Sequence, residues 1–324
     1  MDSPLKAILL RYSKSDFKIA TGQILNSVGP FLLIWALCVF VFASSPTAVV
    51  ALSFINGFFL TRIFVLQHDC GHFSLFPTRL QNNIAGNLIS SITFTPLLNW
   101  RREHNLHHAH IGNLDKIEHG DFWILTQEQY VAAPARTRLL YRIYRFPLFL
   151  FVIGPLFYLV IRRRFPVNLP THLKTERRNV QWTNLGLLLL YGPLCAFFGW
   201  KLLLLMVIPA LATGASICIW GFFVQHTYAE GYWEREAHWN YYEAAFRGSS
   251  YYDLPRWVLW FSADISVHHI HHLDAKIPNY LLQKCLRENP ELKPKKSMTF
   301  LESLKCASLK LWDEENKRYI GYPT

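Results

Sequence analysis

Four long apolar segments dominate the chain and restrict what it can fold into. They cover residues 24–43, 47–67, 182–200 and 202–225. Each is close to the roughly 20 residues that an α-helix needs to span a bilayer. Very short polar connections join the first segment to the second and the third to the fourth, which favours two helical hairpins. The sequence therefore predicts an all-α integral membrane protein with four transmembrane helices.

The basic residues lie almost entirely on one side of these predicted spans. Of the 33 Lys and Arg residues, all but Arg62 and Lys201 fall before residue 24, within 68–181 or within 226–324. The positive-inside rule assigns such segments to the cytoplasm. We therefore expect both termini there. The net charge of +11 needs no nucleic-acid partner, because these groups would face anionic headgroups or an acidic redox protein.

Nine histidines occur at four places on the predicted cytoplasmic side. Three clusters, HDCGH, HNLHH and HHIHH, space their imidazoles by three or four residues, which places them on one face of a helix. Nine imidazoles are too many for one zinc ion, which takes four ligands, and imidazole is a normal ligand of iron. The sequence predicts a two-metal site in a helical cytosolic cap. The candidate ligands are His68, His72, His104, His107, His108, His226, His268, His271 and His272.

One of these candidates stands outside the clusters. His226 follows the fourth predicted span, and its alternative role is that of an interfacial anchor beside Tyr228 and Trp233. The other candidates are supported by their clustering, since a lone histidine in an apolar setting is usually structural. No pair of the 6 cysteines has CxxC spacing, so neither a zinc ribbon nor a disulfide framework is indicated.

Metal-binding histidines need their second nitrogen held by a carboxylate or a carbonyl group. Among the nearby acids, Asp264 lies four residues before His268, where it could also bind a metal through water. His269 points away from the face shared by its neighbours, which gives it a supporting or surface role. The candidates for support of the metal ligands are Asp69, Asp115, Asp264 and His269.

Two further segments carry apolar residues. Residues 146–161 form a short run that is interrupted by Gly154–Pro155 and has arginines at both ends. A crossing there would separate the third histidine cluster from the first two, so we interpret this run as interfacial or re-entrant. Residues 301–319 have the apolar spacing of an amphipathic helix packed on the cap. We expect residues 1–324 to form one domain.

Several motifs are distinctive beyond their histidines, and with them the chain resembles the membrane fatty acid desaturase family. The similarity is greatest to the family's bacterial acyl-lipid branch, of the Δ12/ω-6 type, and it runs over most of the chain. The motifs are HDCGHFSLF at 68–76, HNLHH with GNLD at 112–115, DFWILT at 121–126, FVQHTY at 223–228, GSSYYDLP at 248–255 and HHIHHLDAKIPNY at 268–280.

This resemblance implies a di-iron centre whose ligands correspond to the nine histidines. The implied reaction removes two hydrogens from an acyl chain to form a cis double bond, with O2 and two electrons. A fatty acyl lipid, an acyl-CoA or an acyl carrier protein would present the substrate. A separate ferredoxin-like protein would supply the electrons. One departure is Asp264, since close relatives often have asparagine there, and a carboxylate would change the charge of the site.

Other functions remain open on the sequence alone. The nearest is an oxygenase on the same scaffold, such as a lipid, alkane or carotenoid hydroxylase, ketolase or epoxygenase. A metal transporter would place ionisable residues along the spans, but only Arg62 lies in them, near an inner end. A bis-histidine haem protein would place paired histidines within the helices, whereas these clusters lie beyond them.

Overall fold

The computed structural model describes residues 3–117, 121–167, 169–294 and 297–323, which are mostly helical. Four of its helices are long and apolar enough to cross a membrane. They confirm the predicted all-α membrane fold with four spans, and each is longer than its apolar segment. These helices are α2 (Phe17–Val41), α3 (Pro46–His72), α9 (Lys174–Phe198) and α10 (Trp200–His226).

Local residues explain why the four helices form two hairpins. The Ser45 side chain accepts a hydrogen bond from the backbone of Ala48, and Pro46 occupies the first turn of α3. This arrangement starts a helix directly after α2 ends. Gly199, with a φ of 85°, separates α9 from α10 in a backbone conformation that residues other than glycine rarely adopt. Both predicted hairpins are therefore present.

Helix α3 is the central element of the bundle and packs against α10 and α2. At the α3–α10 crossing, a Cβ atom added to Gly57 would lie 2.4 Å from the Thr213 Cβ atom. A Cβ atom on Gly214 would lie 3.1 Å from the Gly57 carbonyl oxygen. Small residues thus let the two backbones approach closely, as is common between membrane helices. This contact fixes the relative position of the two helices that end at His72 and His226.

The remaining helices lie between and after the spans. Between them are α4 (Arg79–Thr93), α5 (Leu97–His110), α6 (Gln127–Ala132), α7 (Ala135–Tyr144), a π-helical turn (Phe149–Ile153), α8 (Gly154–Val160) and a 3-10 turn (Arg162–Arg164). After them are α11 (Tyr241–Arg247), α12 (Arg256–Phe261), α13 (His268–Leu273), α14 (Asn279–Glu288), a 3-10 turn (Pro290–Leu292), α15 (Phe300–Ser303) and a 3-10 turn (Leu304–Ser308). Helix α1 (Ser3–Leu10) precedes them all and packs on the part of the cap formed by α13 and α14.

The apolar run at 146–161 is not a straight extension of the helix before it. The chain bends by 66° between α7 and the helical stretch 149–164. Large apolar side chains of this run, including Leu148, Ile153 and Phe157, are exposed on the surface of the protein. A bent, apolar segment of this kind is compatible with our interfacial or re-entrant assignment, which stays a prediction.

The predicted amphipathic helix at 301–319 is wrong. The structure has only short helical turns up to Ser308, followed by an antiparallel hairpin of β1 (Leu311–Asp313) and β2 (Arg318–Ile320). The Asp313 side chain accepts hydrogen bonds from the backbone of Glu315 and Asn316. Such local side-chain bonds compete with helix formation and favour a turn. The apolar spacing that suggests a helix instead places Trp312 opposite Tyr319 across the hairpin.

Candidate metal centre

Helix ends and short helices bring the nine candidate histidines together. Helices α3 and α10 supply histidines from their last turns, α5 supplies the second cluster, and α13 supplies the third. All nine are buried, although imidazole is polar. Because residues three or four apart share a helix face, each cluster carries its imidazoles on one side of its helix.

The imidazoles form two separate groups. Within each group, one nitrogen from every histidine lies within 4.8 Å of the corresponding nitrogens of the others. His107 and His108 are neighbours in the sequence, yet they belong to different groups. The first group contains His68, His72, His104, His108 and His271. The second group contains His107, His226, His268 and His272.

Within each group, the Nε2 atoms of neighbouring imidazoles lie close to one another. In the first group, the Nε2 atom of His104 lies 3.0 Å from that of His68 and 3.1 Å from that of His108. In the second group, the Nε2 atom of His268 lies 3.0 Å from that of His226 and 3.1 Å from that of His272. Each group therefore directs its Nε2 atoms at one point.

The electrostatics and the unpaired atoms of these groups fit a metal site. Burial, and then neighbouring imidazoles, lower the pKa values of His104, His108 and His271 well below the usual value, which keeps them neutral. Neutral imidazole is the form that binds metals. The buried Nε2 atoms of His72 and His107 have no hydrogen-bond partner among the described residues. Buried polar atoms without partners are rare and require an explanation, which a bound cation provides.

The Nδ1 atoms of three of these histidines are held by oxygen atoms. His68 donates a hydrogen bond to Asp69 at 3.0 Å, and the same carboxylate accepts bonds from the backbone and side chain of Asn279 at 2.8 Å. His226 donates to the carbonyl oxygen of Gly248 at 3.0 Å. Fixed Nδ1–H groups orient the rings and direct Nε2 at the metal position. The predicted contact of Asp69 with a histidine is present.

The third of these Nδ1 atoms is held by a carboxylate that is not among the predicted supporting residues. The Nδ1 atom of His107 donates a hydrogen bond to Asp121, which is buried beside it. Asp121 is the first residue of the DFWILT motif, and this motif was its signal in the sequence. The sequence instead predicts Asp115 as a supporting carboxylate, because Asp115 lies closer to the second cluster along the chain.

The prediction that Asp115 supports a metal ligand is wrong. Its carboxylate pairs with Arg235 at 2.7 Å and accepts a hydrogen bond from the backbone of Glu236. Its side chain is 40% exposed, far more than those of the histidines. The GNLD segment turns away from α5 after His110, so Asp115 reaches the surface. There it ties this segment to the one around Arg235.

Asp264 also lies apart from the histidine groups. Among the described residues, its carboxylate has no hydrogen bond or ion pair with any of the nine histidines. It lies within electrostatic range of Arg62 and Arg287, and burial raises its pKa. Its backbone is left-handed, with a φ of 57°. Asparagine and aspartate tolerate this conformation better than other residues with a side chain, which accounts for either residue at this position.

We expect Asp264→Asn to leave metal binding unchanged, because asparagine keeps both the backbone conformation and most of the side-chain volume. Asp264→Ala is expected to cost about 1 kcal/mol of stability from the left-handed backbone. Thermal unfolding in detergent and metal content measure the two effects. Loss of metal in the asparagine variant alone would show that the carboxylate charge acts on the site.

His269 is buried, so the surface role considered for it is wrong. It donates a hydrogen bond from Nε2 to the Leu292 carbonyl oxygen at 3.0 Å, and its ring packs against Phe246 and Tyr251. Burial lowers its pKa to about 4. It is in neither histidine group. Its contacts connect α13 to the C-terminal part of the cap.

We expect His269→Ala to destabilise the protein by about 1–3 kcal/mol, the cost of leaving a buried carbonyl group without its hydrogen bond. Metal content should stay as in the wild type, because neither group loses a member. A thermal melt and metal analysis on the same preparation measure both quantities. A variant that melts normally but loses its metal would contradict the assignment.

An apolar cavity adjoins the second group. His107, His226 and Asp121 line it together with Phe122 and Phe222. Tyr319, from the C-terminal hairpin, closes another side. The Tyr319 hydroxyl donates to the His226 carbonyl oxygen at 3.1 Å and accepts from Trp233 Nε1 at 2.6 Å. The hairpin therefore holds the end of α10, which carries a member of the second group.

These features define a class of protein: a helical membrane protein with four spans and two adjoining buried groups of histidines. Comparison with known families narrows the class, because the sequence model described as "Fatty acid desaturase" matches residues 44–303. The chain belongs to the fatty acid desaturase family and is an oxidoreductase.

Individual relatives agree with this assignment. The chain is 39% identical over 311 residues to "Fatty acid desaturase" of Bacillus subtilis, covering 96% of this chain and 88% of the relative. It is 29% identical to "sn-1 oleoyl-lipid 12-desaturase" of Synechocystis sp., covering 72% of this chain and 67% of the relative. It is 30% identical to "Omega-3 fatty acid desaturase, endoplasmic reticulum" of Nicotiana tabacum, covering 72% and 62%.

Proposed function

We propose that this protein introduces a cis double bond into an acyl chain of a membrane lipid, at a pair of irons held by the nine histidines. The observation that carries the proposal is the division of nine buried imidazoles into groups of five and four, each with converging nitrogen atoms. Two such groups provide ligands for two metal ions. The name of the Synechocystis relative supports a lipid-linked acyl chain as the substrate.

Iron suits this donor set, since imidazole binds iron readily and the groups contain neither thiolate nor carboxylate. Irons bound there would supply the O2 activation that an unpolarised alkyl C–H bond requires. The protein's own residues prepare the site. Burial lowers the pKa values of His104, His108 and His271 and keeps these imidazoles neutral. Asp69, Asp121 and the Gly248 carbonyl group orient three of the rings.

The apolar cavity explains how an acyl chain could be kept from water. Aromatic side chains, among them Phe122 and Phe222, line it directly beside His107 and His226. An apolar lining desolvates a hydrocarbon chain favourably, and exclusion of water by the bound chain limits side reactions. Binding of the chain there would bring a methylene pair next to the second histidine group.

The orientation and the electron supply are also part of the proposal. The positive-inside distribution supports a cytoplasmic position for the termini and the histidine groups, in a bacterial inner membrane. The sequence contains no CxxCH haem-attachment motif. A separate ferredoxin-like carrier would bring the two electrons for each double bond.

Fatty-acid analysis tests this function. The protein would be expressed in a bacterium that lacks polyunsaturated lipids, together with a ferredoxin system and beside a His107→Ala control. Gas chromatography–mass spectrometry with double-bond localisation should find a new double bond that the control lacks. Hydroxy or keto products would overturn the proposal in favour of the oxygenase reaction. An unchanged profile from iron-loaded protein with a reduced donor would exclude an acyl substrate present in that host.

A further inference from the structure

A second cavity is lined by residues of α5 that belong to neither histidine group. Asn99 and Glu103 of α5 form one wall, and Tyr158, Arg162 and Arg163 from the end of the 146–164 stretch form the opposite wall. Phe165, Pro166 and Leu169 form its rim. The proposed reaction does not use this cavity. Two of its charged side chains, those of Glu103 and Arg163, are nonetheless largely buried.

Arg163 is the unusual member of this cavity. It is only 6% exposed, and its Nη2 atom donates to Glu103 at 2.6 Å. Its guanidinium carbon lies 4.7 Å from the centre of the Tyr158 ring. Its Nε and Nη1 atoms are also buried, but they have no hydrogen-bond partner among the described residues. Buried donors without acceptors are costly, so the site lacks an acceptor that a ligand would supply.

The charges of the cavity identify the kind of acceptor. Arg162 lines the same space, and the described residues include no ion-pair or hydrogen-bond partner for its side chain. Two arginines and one glutamate leave an excess of one positive charge. A phosphodiester carries one negative charge and several acceptor oxygens, and arginine binds phosphate groups in a forked geometry. The cavity thus matches a phosphodiester in both charge and hydrogen bonding.

The surroundings of the cavity show where that phosphodiester would come from. Phe165 lines the rim and is 57% exposed, and the nearby Val167 is 70% exposed. Arg177, near the start of the spanning helix α9, holds this rim through the carbonyl oxygens of Pro166 and Leu169 at 3.0 and 2.7 Å. Exposed apolar residues beside the end of a span are typical of the membrane interface, where lipid headgroups lie.

We propose that this cavity binds the phosphodiester of a glycerophospholipid, with Arg162 and Arg163 on the phosphate and the lipid chains against Phe165 and Val167. The site is distinct from the histidine groups, and its occupancy does not depend on the reaction catalysed. Because Glu103 precedes His104 on α5, the bound headgroup would lie on the same helix as members of both groups.

Native mass spectrometry of the full chain in detergent micelles tests this proposal. The probes are palmitoyl-oleoyl-phosphatidylglycerol, a diacylglycerol with the same chains and inorganic phosphate. The wild type should retain one phosphatidylglycerol and no diacylglycerol. Arg162→Gln should weaken retention at least about tenfold, as expected for the loss of a hydrogen bond between charged groups. Arg178→Gln, which removes an exposed arginine from the same membrane side, should not.

A second variant keeps the test valid if Arg163 proves essential for folding. Arg163→Gln alone would leave Glu103 buried and unpaired, so the double variant Glu103→Gln, Arg163→Gln preserves the net charge while removing the forked donor. It should also lose the lipid. Equal retention by the Arg162→Gln and Arg178→Gln proteins would overturn the proposal. So would retention of diacylglycerol, or binding of inorganic phosphate without any phosphatidylglycerol.

Discussion

A His271→Ala variant is expected to form no double bond and to lose bound iron, while still inserting into the membrane. His271 comes from α13 and completes a group whose other members lie on α3 and α5. Its Nε2 atom lies 3.1 Å from that of His108, and its ring centre lies 4.6 Å from that of His68. Alanine removes a donor that no neighbouring side chain of the group can replace. Iron analysis and fatty-acid profiling of the same membranes measure the effect.

His269→Ala is the matched control, because it changes the same residue type on the same short helix. It should retain iron and product despite its lower stability. Detergent-solubilised protein should elute as a single peak in size-exclusion chromatography for both variants, which separates loss of the site from loss of the fold. Iron and activity retained by the His271→Ala protein would show that the first group is not a metal site.

Replacing Asp121 with asparagine is expected to weaken iron binding or activity by about 10–100-fold, the usual effect of removing a partner of a metal-bound histidine. Asparagine is nearly isosteric, so the cavity beside it should keep its shape. The amide lacks the negative charge that favours the Nδ1–H form of His107 and directs Nε2 into the second group. Competition with an iron chelator, followed by metal analysis, measures the affinity directly.

Asp115→Asn provides the comparison, since it makes the same chemical change in the same loop region. It removes an exposed ion pair with Arg235, which is worth about 0–1 kcal/mol. Its iron affinity should equal that of the wild type. If the two variants behaved alike, the hydrogen bond between His107 and Asp121 would have no role in holding the metal.

Much of this architecture could be predicted because it depends on local patterns. Apolar segment length determines the four spans, and the spacing of His104, His107 and His108 determines that they share a side of α5. The division into two groups could not be predicted. His107 and His108 point about 100° apart around the axis of α5. Which histidines of the other helices lie opposite each of them depends on packing between distant segments.

The errors have a related physical origin. Distance in the sequence predicts Asp115 as a partner of the second cluster, but the chain turns outward after α5 and Asp121 lies beside His107 instead. The tail from residue 301 has helical apolar spacing, but the Asp313 side chain stabilises a turn that this spacing does not reveal. In both cases the position of the residues depends on a backbone turn, which the pattern of polar and apolar residues does not indicate.

The division of the histidines between the two groups also sets an order for biosynthesis. Four of the five members of the first group lie between residues 68 and 108, so they leave the ribosome before α9 is made. By then the second group has only His107, and its other members follow with α10 and α13. The nascent chain therefore contains most of the first group while the second group has only one member. Both groups are complete only after α13 has been translated and its histidines lie beside those of α5.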